Sequence, residues 1–157
     1  MRRTSIFLLL TAGLGLGLAL PADALEGRIV KVLPQFLDLK GRNSLAPSLY
    51  ERDAYQVYLR DHPDKRSGLR FQVQWKAKGR PAGPLKVRVE LRGTTEGNRP
   101  REMSLEQPAV KTRSWLGHWT LVDLTGDNYK KFGAVTAWRV TFWEGETLLG
   151  ERRSFLW

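Results

Sequence analysis

Leu69-Arg70-Phe71-Gln72-Val73-Gln74-Trp75-Lys76-Ala77 and Leu85-Lys86-Val87-Arg88-Val89-Glu90-Leu91-Arg92 are the two stretches that decide the fold. In both, apolar and polar residues alternate strictly. A period of two sends successive side chains to opposite faces of an extended chain, so each stretch reads as a strand with one dry and one wet face. Between them, Lys78–Pro84 carries two Gly and two Pro and reads as a loop.

Working outward, Ile29–Leu33 reads as an opening strand stopped by Pro34, with Phe36–Leu39 continuing after a bend. Met103–Leu105 is a short edge strand. Trp115–Leu124 is a strand placing Trp115, Gly117, Trp119 and Leu121 on one face. Val135–Trp143 aligns Trp138, Val140 and Phe142, and Glu144-Gly145 turns the chain into a last strand over Leu148–Trp157. About seven short strands separated by turn signals predict a mostly β chain folded as an antiparallel sandwich.

One segment departs from this pattern. Ser48-Leu49-Tyr50-Glu51 fits a capping box, and no Gly or Pro follows until His62-Pro63. The spacing predicts a helix over about 48–61, inserted between the first and second strands. Its buried stripe is expected at Tyr50, Ala54, Val57 and Tyr58. Tyr55 and Leu59 form a second pair on the far side, and Arg52, Asp53, Gln56 and Arg60 fill the wet arc.

Over 29–157 this pattern resembles an immunoglobulin-like or fibronectin type III-like β-sandwich that lacks the cysteine pair and carries an added helix. The resemblance is one of architecture, and fold alone does not fix function.

The N-terminus reads as a secretory leader. Arg2 and Arg3 precede an apolar run over Ile6–Leu20, and Pro21 leads to the small-x-small site Ala22-Asp23-Ala24. The apolar run falls short of the roughly 20 residues that cross a bilayer. Removal of 1–24 is expected to leave one domain over 25–157, exported to the periplasm or outside a bacterial cell, with no stable membrane span.

The 157 residues include no Cys and two His, and carry 26 Lys and Arg against 16 Asp and Glu, a formal net charge of +10. No cysteine means no disulfide, thiolate nucleophile or Cys-ligated metal. His62 sits at a helix stop and His118 within a strand, neither beside a Gly-x-Ser-x-Gly elbow. Asp123, Asp127 and Asn128 read as an ordinary turn rather than a Ca²⁺ loop, since the EF-hand spacing is absent and Lys130-Lys131 follows. No catalytic residue, cofactor or metal is therefore assigned.

Positive charge is the main functional signal. Lys86, Arg88 and Arg92 share the wet face of one strand, and Lys130 and Lys131 add to the excess. Such a surface attracts anions. An exported protein meets little nucleic acid, so a protein or an anionic glycan or other envelope component is the expected partner. Trp75 and Trp138 sit in apolar alternation and read as core, as do Trp115 and Trp119. Trp143, beside the hairpin turn, is the tryptophan expected at the surface, and Tyr55 is a second aromatic contact. The leading reading is an exported non-enzymatic interaction domain using Lys86, Arg88, Arg92, Lys130, Lys131, Trp143 and Tyr55. A carbohydrate-binding module and a small hydrolase with an unrecognised site are the alternatives. An outer-membrane barrel closed by the aromatic C-terminus fits poorly with the helix and the charged strand faces.

Overall fold

The computed structural model describes residues 25–95, 97–112 and 114–157, so the leader expected over 1–24 lies outside the described residues. Seven strands appear among them. They are β1 (Glu26–Asp38), β2 (Arg66–Lys78), β3 (Leu85–Thr94), β4 (Pro100–Pro108), β5 (His118–Thr125), β6 (Ala134–Glu144) and β7 (Thr147–Arg153). Helix α1 (Leu49–Asp61) lies between β1 and β2, and α2 (Gly126–Phe132) between β5 and β6. The strands form two antiparallel sheets, ordered β1-β2-β5 and β4-β3-β6-β7, an arrangement consistent with a β-sandwich.

The two alternating stretches behave as their pattern requires. Phe71, Val73 and Trp75 of β2 and Val87, Val89 and Leu91 of β3 are buried in one core with Val122, Leu124, Val140, Phe142 and Phe132. Full burial of side chains this size stabilises by roughly 1.5–3 kcal/mol each before entropy is counted. Trp75 keeps its polar end satisfied, donating from Nε1 to the Thr120 hydroxyl at 3.0 Å. At one end the sheets' edges touch. A Cβ on Gly27 would come within 2.7 Å of the Leu149 Cβ and 2.8 Å of the Phe142 ring, so only glycine lets β1 approach β7 there.

Four sequence expectations need correction. First, β1 runs unbroken through Pro34. Phe36 points its N–H and C=O away from β2, toward the side chain of Gln56. Pro34, two residues earlier on the same edge strand, lacks a donor on that same open side, where the ladder does not need one. Second, β5 begins at His118 rather than Trp115, and its inward set is His118, Thr120, Val122 and Leu124; Trp119 and Leu121 face out. Third, the turn expected at Asp123, Asp127 and Asn128 is not a loop: Asp123 stays in β5, paired with Arg70 at 2.7 Å, and the chain passes straight on from Thr125. It enters α2, whose Phe132 plugs the core and whose Asp127 and Lys130-Lys131 sit at the termini the helix dipole favours.

Fourth, α1 turns the opposite way. Ser48 caps it, accepting from the Glu51 N–H at 3.5 Å, but Tyr50 and Val57 of the expected buried stripe are exposed. The inward residues are Arg52, Tyr55, Gln56 and Leu59, spaced three and four apart. Leu59 is fully buried, and Gln56 accepts from the Phe36 N–H at 2.7 Å and donates to the Phe36 and Asn43 carbonyls at 3.0 and 2.8 Å. Among the described residues no helix is long and apolar enough to cross a membrane.

Candidate anion-binding site

The structure brings Lys86, Arg88, Arg92 and Trp143 onto one face, the outer surface of the β4-β3-β6-β7 sheet. It also places carboxylates among them. Arg88 reaches Glu106 at 2.5 Å, Lys86 reaches the same carboxylate at 3.8 Å, and Arg92 reaches Glu102 at 3.1 Å. Arg139 makes a two-pronged pair with Glu90 at 2.7 and 2.9 Å. Its guanidinium holds the Glu90 carboxyl below the usual carboxylate range, more than offsetting the upward push of partial burial. The aromatics here are covered by cations: Arg88 lies 5.2 Å over Trp143, and Arg92 and Arg139 lie 4.1 and 5.2 Å over Trp157. This face is a mutually neutralised lattice rather than a free basic patch.

The remaining expected contacts lie elsewhere. Lys130 and Lys131 are exposed on the last turn of α2, near the start of β4, where Arg101 donates to the Lys131 carbonyl at 2.6 Å. Tyr55 lies on α1, against β1 of the other sheet. It is half-buried and its hydroxyl donates to Asp38 at 2.8 Å. Trp143 is half-buried, with Nε1 lacking a hydrogen-bond partner. The histidines are far apart in role. The His62 ring stacks on Tyr58 at 4.2 Å with Nδ1 2.8 Å from the Tyr58 carbonyl. His118 packs on Trp75 at 4.5 Å and accepts at Nδ1 from the Thr112 N–H at 3.3 Å. Burial, helped by the Lys111 charge, pushes the His118 imidazole below its ordinary value. Among the described residues no group of three or more metal-ligating side chains gathers.

Cations that make no ion pair among the described residues gather on the opposite sheet, at the end where β1 and β2 pair. Arg28 stands directly across from Lys76, and Glu26 across from Lys78. Like charges in register repel by a few tenths of a kcal/mol or more, a cost that an anion between them would reverse. None of Arg28, Lys76 and Lys78 makes an ion pair among the described residues. They line an open cleft of about 400 Å³ together with Trp115, which is 87% exposed. Glu26, at the rim, is the one carboxylate among the lining residues.

The segment that carries Trp115 is fastened on three sides. The Ala109 N–H donates to the Leu85 carbonyl at 2.8 Å, Gln74 donates to the Leu116 carbonyl at 3.1 Å, and Lys111 donates to the Gly79 carbonyl at 2.5 Å. Gly117 makes the turn into β5 with φ of 104°, and a Cβ there would press on the Trp75 carbonyl at 3.0 Å and the Lys76 side chain at 3.2 Å. The cleft is hidden in the sequence because the alternation runs on through Trp115, whereas the strand begins at His118. Gly117 was the available signal, since a glycine breaking an alternation marks a bend that releases the residues before it.

The class defined by fold and site is thus a two-sheet antiparallel β-protein with a cation-lined, tryptophan-walled surface cleft. Comparison of the chain with protein-family models, with curated proteins and with solved structures gives no match.

Proposed function

We propose that this chain is an exported, non-enzymatic interaction domain that binds an anionic glycan of the cell envelope in the cleft of Arg28, Lys76, Lys78 and Trp115. The fold reading that goes with it is an immunoglobulin-like or fibronectin type III-like sandwich. The strand order supports it, being that of an immunoglobulin constant domain with the fourth strand moved beside the third. The carrying observation is the cross-strand pair Arg28–Lys76, unneutralised and lying beside an exposed indole. Long-range attraction would bring a carboxylated or sulfated chain to the cations, and a sugar face would then cover Trp115. This joins the charge-led and carbohydrate-binding readings in one site and moves it off the β3 face.

The test is a titration of intrinsic tryptophan fluorescence with polygalacturonate and with neutral dextran. Polygalacturonate is expected to bind, to weaken by about tenfold between 50 and 200 mM salt, and to lose its fluorescence response in Trp115→Ala. Equal binding of the two polymers, or an unchanged response in that variant, would overturn the proposal.

A further inference from the structure

A second cleft, separate from the Trp115 site, opens between the two sheets. β7 ends at Arg153, whereas β6 begins as early as Ala134, so the first residues of β6 have no strand beyond them on that edge. β1 passes opposite. The gap between them is about 470 Å³, within the range of small-molecule sites. Its walls include Phe36, Tyr129 and Trp138, and the fully buried Phe71 backs Trp138 edge-on at 6.3 Å. Arg60 and Arg66 also line it, and no carboxylate does among the described residues.

The polar groups around this gap decide what kind of occupant fits. Strand addition is disfavoured at Phe36 and Trp138, whose backbone groups are already bonded. Phe36 has both backbone groups bonded to Gln56. Trp138 donates its N–H to the Ser154 hydroxyl at 3.0 Å and accepts from the Ser154 N–H at 2.9 Å. What remains for an occupant is aromatic surface with positive charge beside it. Arg66 is held in place, its guanidinium donating to the Leu59 and Arg60 carbonyls and lying 4.0 Å over Phe36. Arg60 is exposed and makes no ion pair among the described residues.

We infer that this cleft binds a single-chain anionic amphiphile, its hydrocarbon body lying between the sheets and its carboxylate meeting Arg60 and Arg66. Burying the chain supplies affinity, and the arginines set orientation and favour an acid over an alcohol.

The experiment uses 11-(dansylamino)undecanoate as probe, read by energy transfer from tryptophan, with laurate and 1-dodecanol as competitors. The purified protein is expected to bind the probe, and laurate to displace it at lower concentration than dodecanol. Val135→Phe, which fills the cleft from β6, is expected to weaken binding by about tenfold or more. Arg60→Glu, on the exposed surface, should weaken it several-fold and erase the preference for laurate. Trp115→Ala should leave it unchanged, which separates this site from the glycan cleft. Dodecanol competing as well as laurate would overturn the proposal. So would probe affinity that survives Val135→Phe in a protein retaining its unfolding transition, or affinity lost in Trp115→Ala instead. Should Val135→Phe fail to fold, Arg60→Glu decides, and an unchanged affinity there refutes the assignment.

Discussion

Among the described residues, the Asp38 carboxylate gathers four hydrogen bonds. One carboxylate oxygen accepts from the backbone N–H of Lys40 at 2.8 Å and of Arg42 at 2.9 Å; the other accepts from the Arg42 guanidinium at 2.9 Å and the Tyr55 hydroxyl at 2.8 Å. Burial by itself would raise this carboxyl, but the hydrogen bonds from Arg42, Tyr55 and Lys40 prevail and bring it down to about 2. The unfolded value is near 3.8, so folding favours the ionised form. The resulting stability is present above that unfolded value and disappears as pH falls through the folded one. Asp38→Asn is therefore expected to lower Tm at pH 7, with the gap from the parent protein shrinking between about pH 4 and pH 2. Thermal unfolding followed by circular dichroism at several pH values checks this. A gap that stays constant across that window would show that the carboxylate charge is not what matters.

At the scale of elements, α1 acts as a cover for an open strand edge. An uncovered edge offers a row of unpaired backbone groups to other chains. The Gln56 amide stands in for a neighbouring strand, taking both polar groups of Phe36. Gln56→Leu leaves those half-buried groups without this partner, so a loss of about 1 kcal/mol is expected, read from chemical denaturation, together with faster aggregation on light scattering. This also explains what the sequence displayed and what it hid. β2 and β3 were legible because their dry faces are apolar and their wet faces charged. α1 was legible as a helix from Ser48 and Pro63, but not in its orientation, because its inward face carries Arg52, paired with Asp53, and Gln56, which serves the Phe36 and Asn43 backbone. β5 was misread because its composition is inverted: His118 and Thr120 face the core while Trp119 and Leu121 face water. Apolarity reports burial only where the buried groups have no polar task, and on both elements they have one.

Over the whole molecule, the excess of positive charge is unevenly matched rather than unevenly placed. The outer face of the β4-β3-β6-β7 sheet carries Lys86, Arg88, Arg92 and Arg139, ion-paired with Glu90, Glu102 and Glu106. The cationic half of that lattice could be read from β3, whose alternation is plain. Apart from Glu90, the acidic half lies on β4, as Glu102 and Glu106, and becomes visible only when β3 and β4 pair. At the β1–β2 end the reverse holds, since Arg28 and Lys76 face one another across the ladder.

Two triple variants separate the faces. In Lys86→Gln/Arg88→Gln/Arg92→Gln, Glu102 and Glu106 lose their partners. Each such exposed pair contributes on the order of 1 kcal/mol or less, so stability should fall modestly while polygalacturonate affinity stays within about twofold. In Arg28→Gln/Lys76→Gln/Lys78→Gln, the facing cations are removed. Stability should hold or rise, and affinity should drop by about tenfold or more with a flatter salt dependence. Both comparisons are read by denaturant melts and fluorescence titration at fixed salt. If the β3 triple is the one that abolishes binding, the ion-paired lattice opens for its ligand, and the cleft beneath Trp115 is not the site.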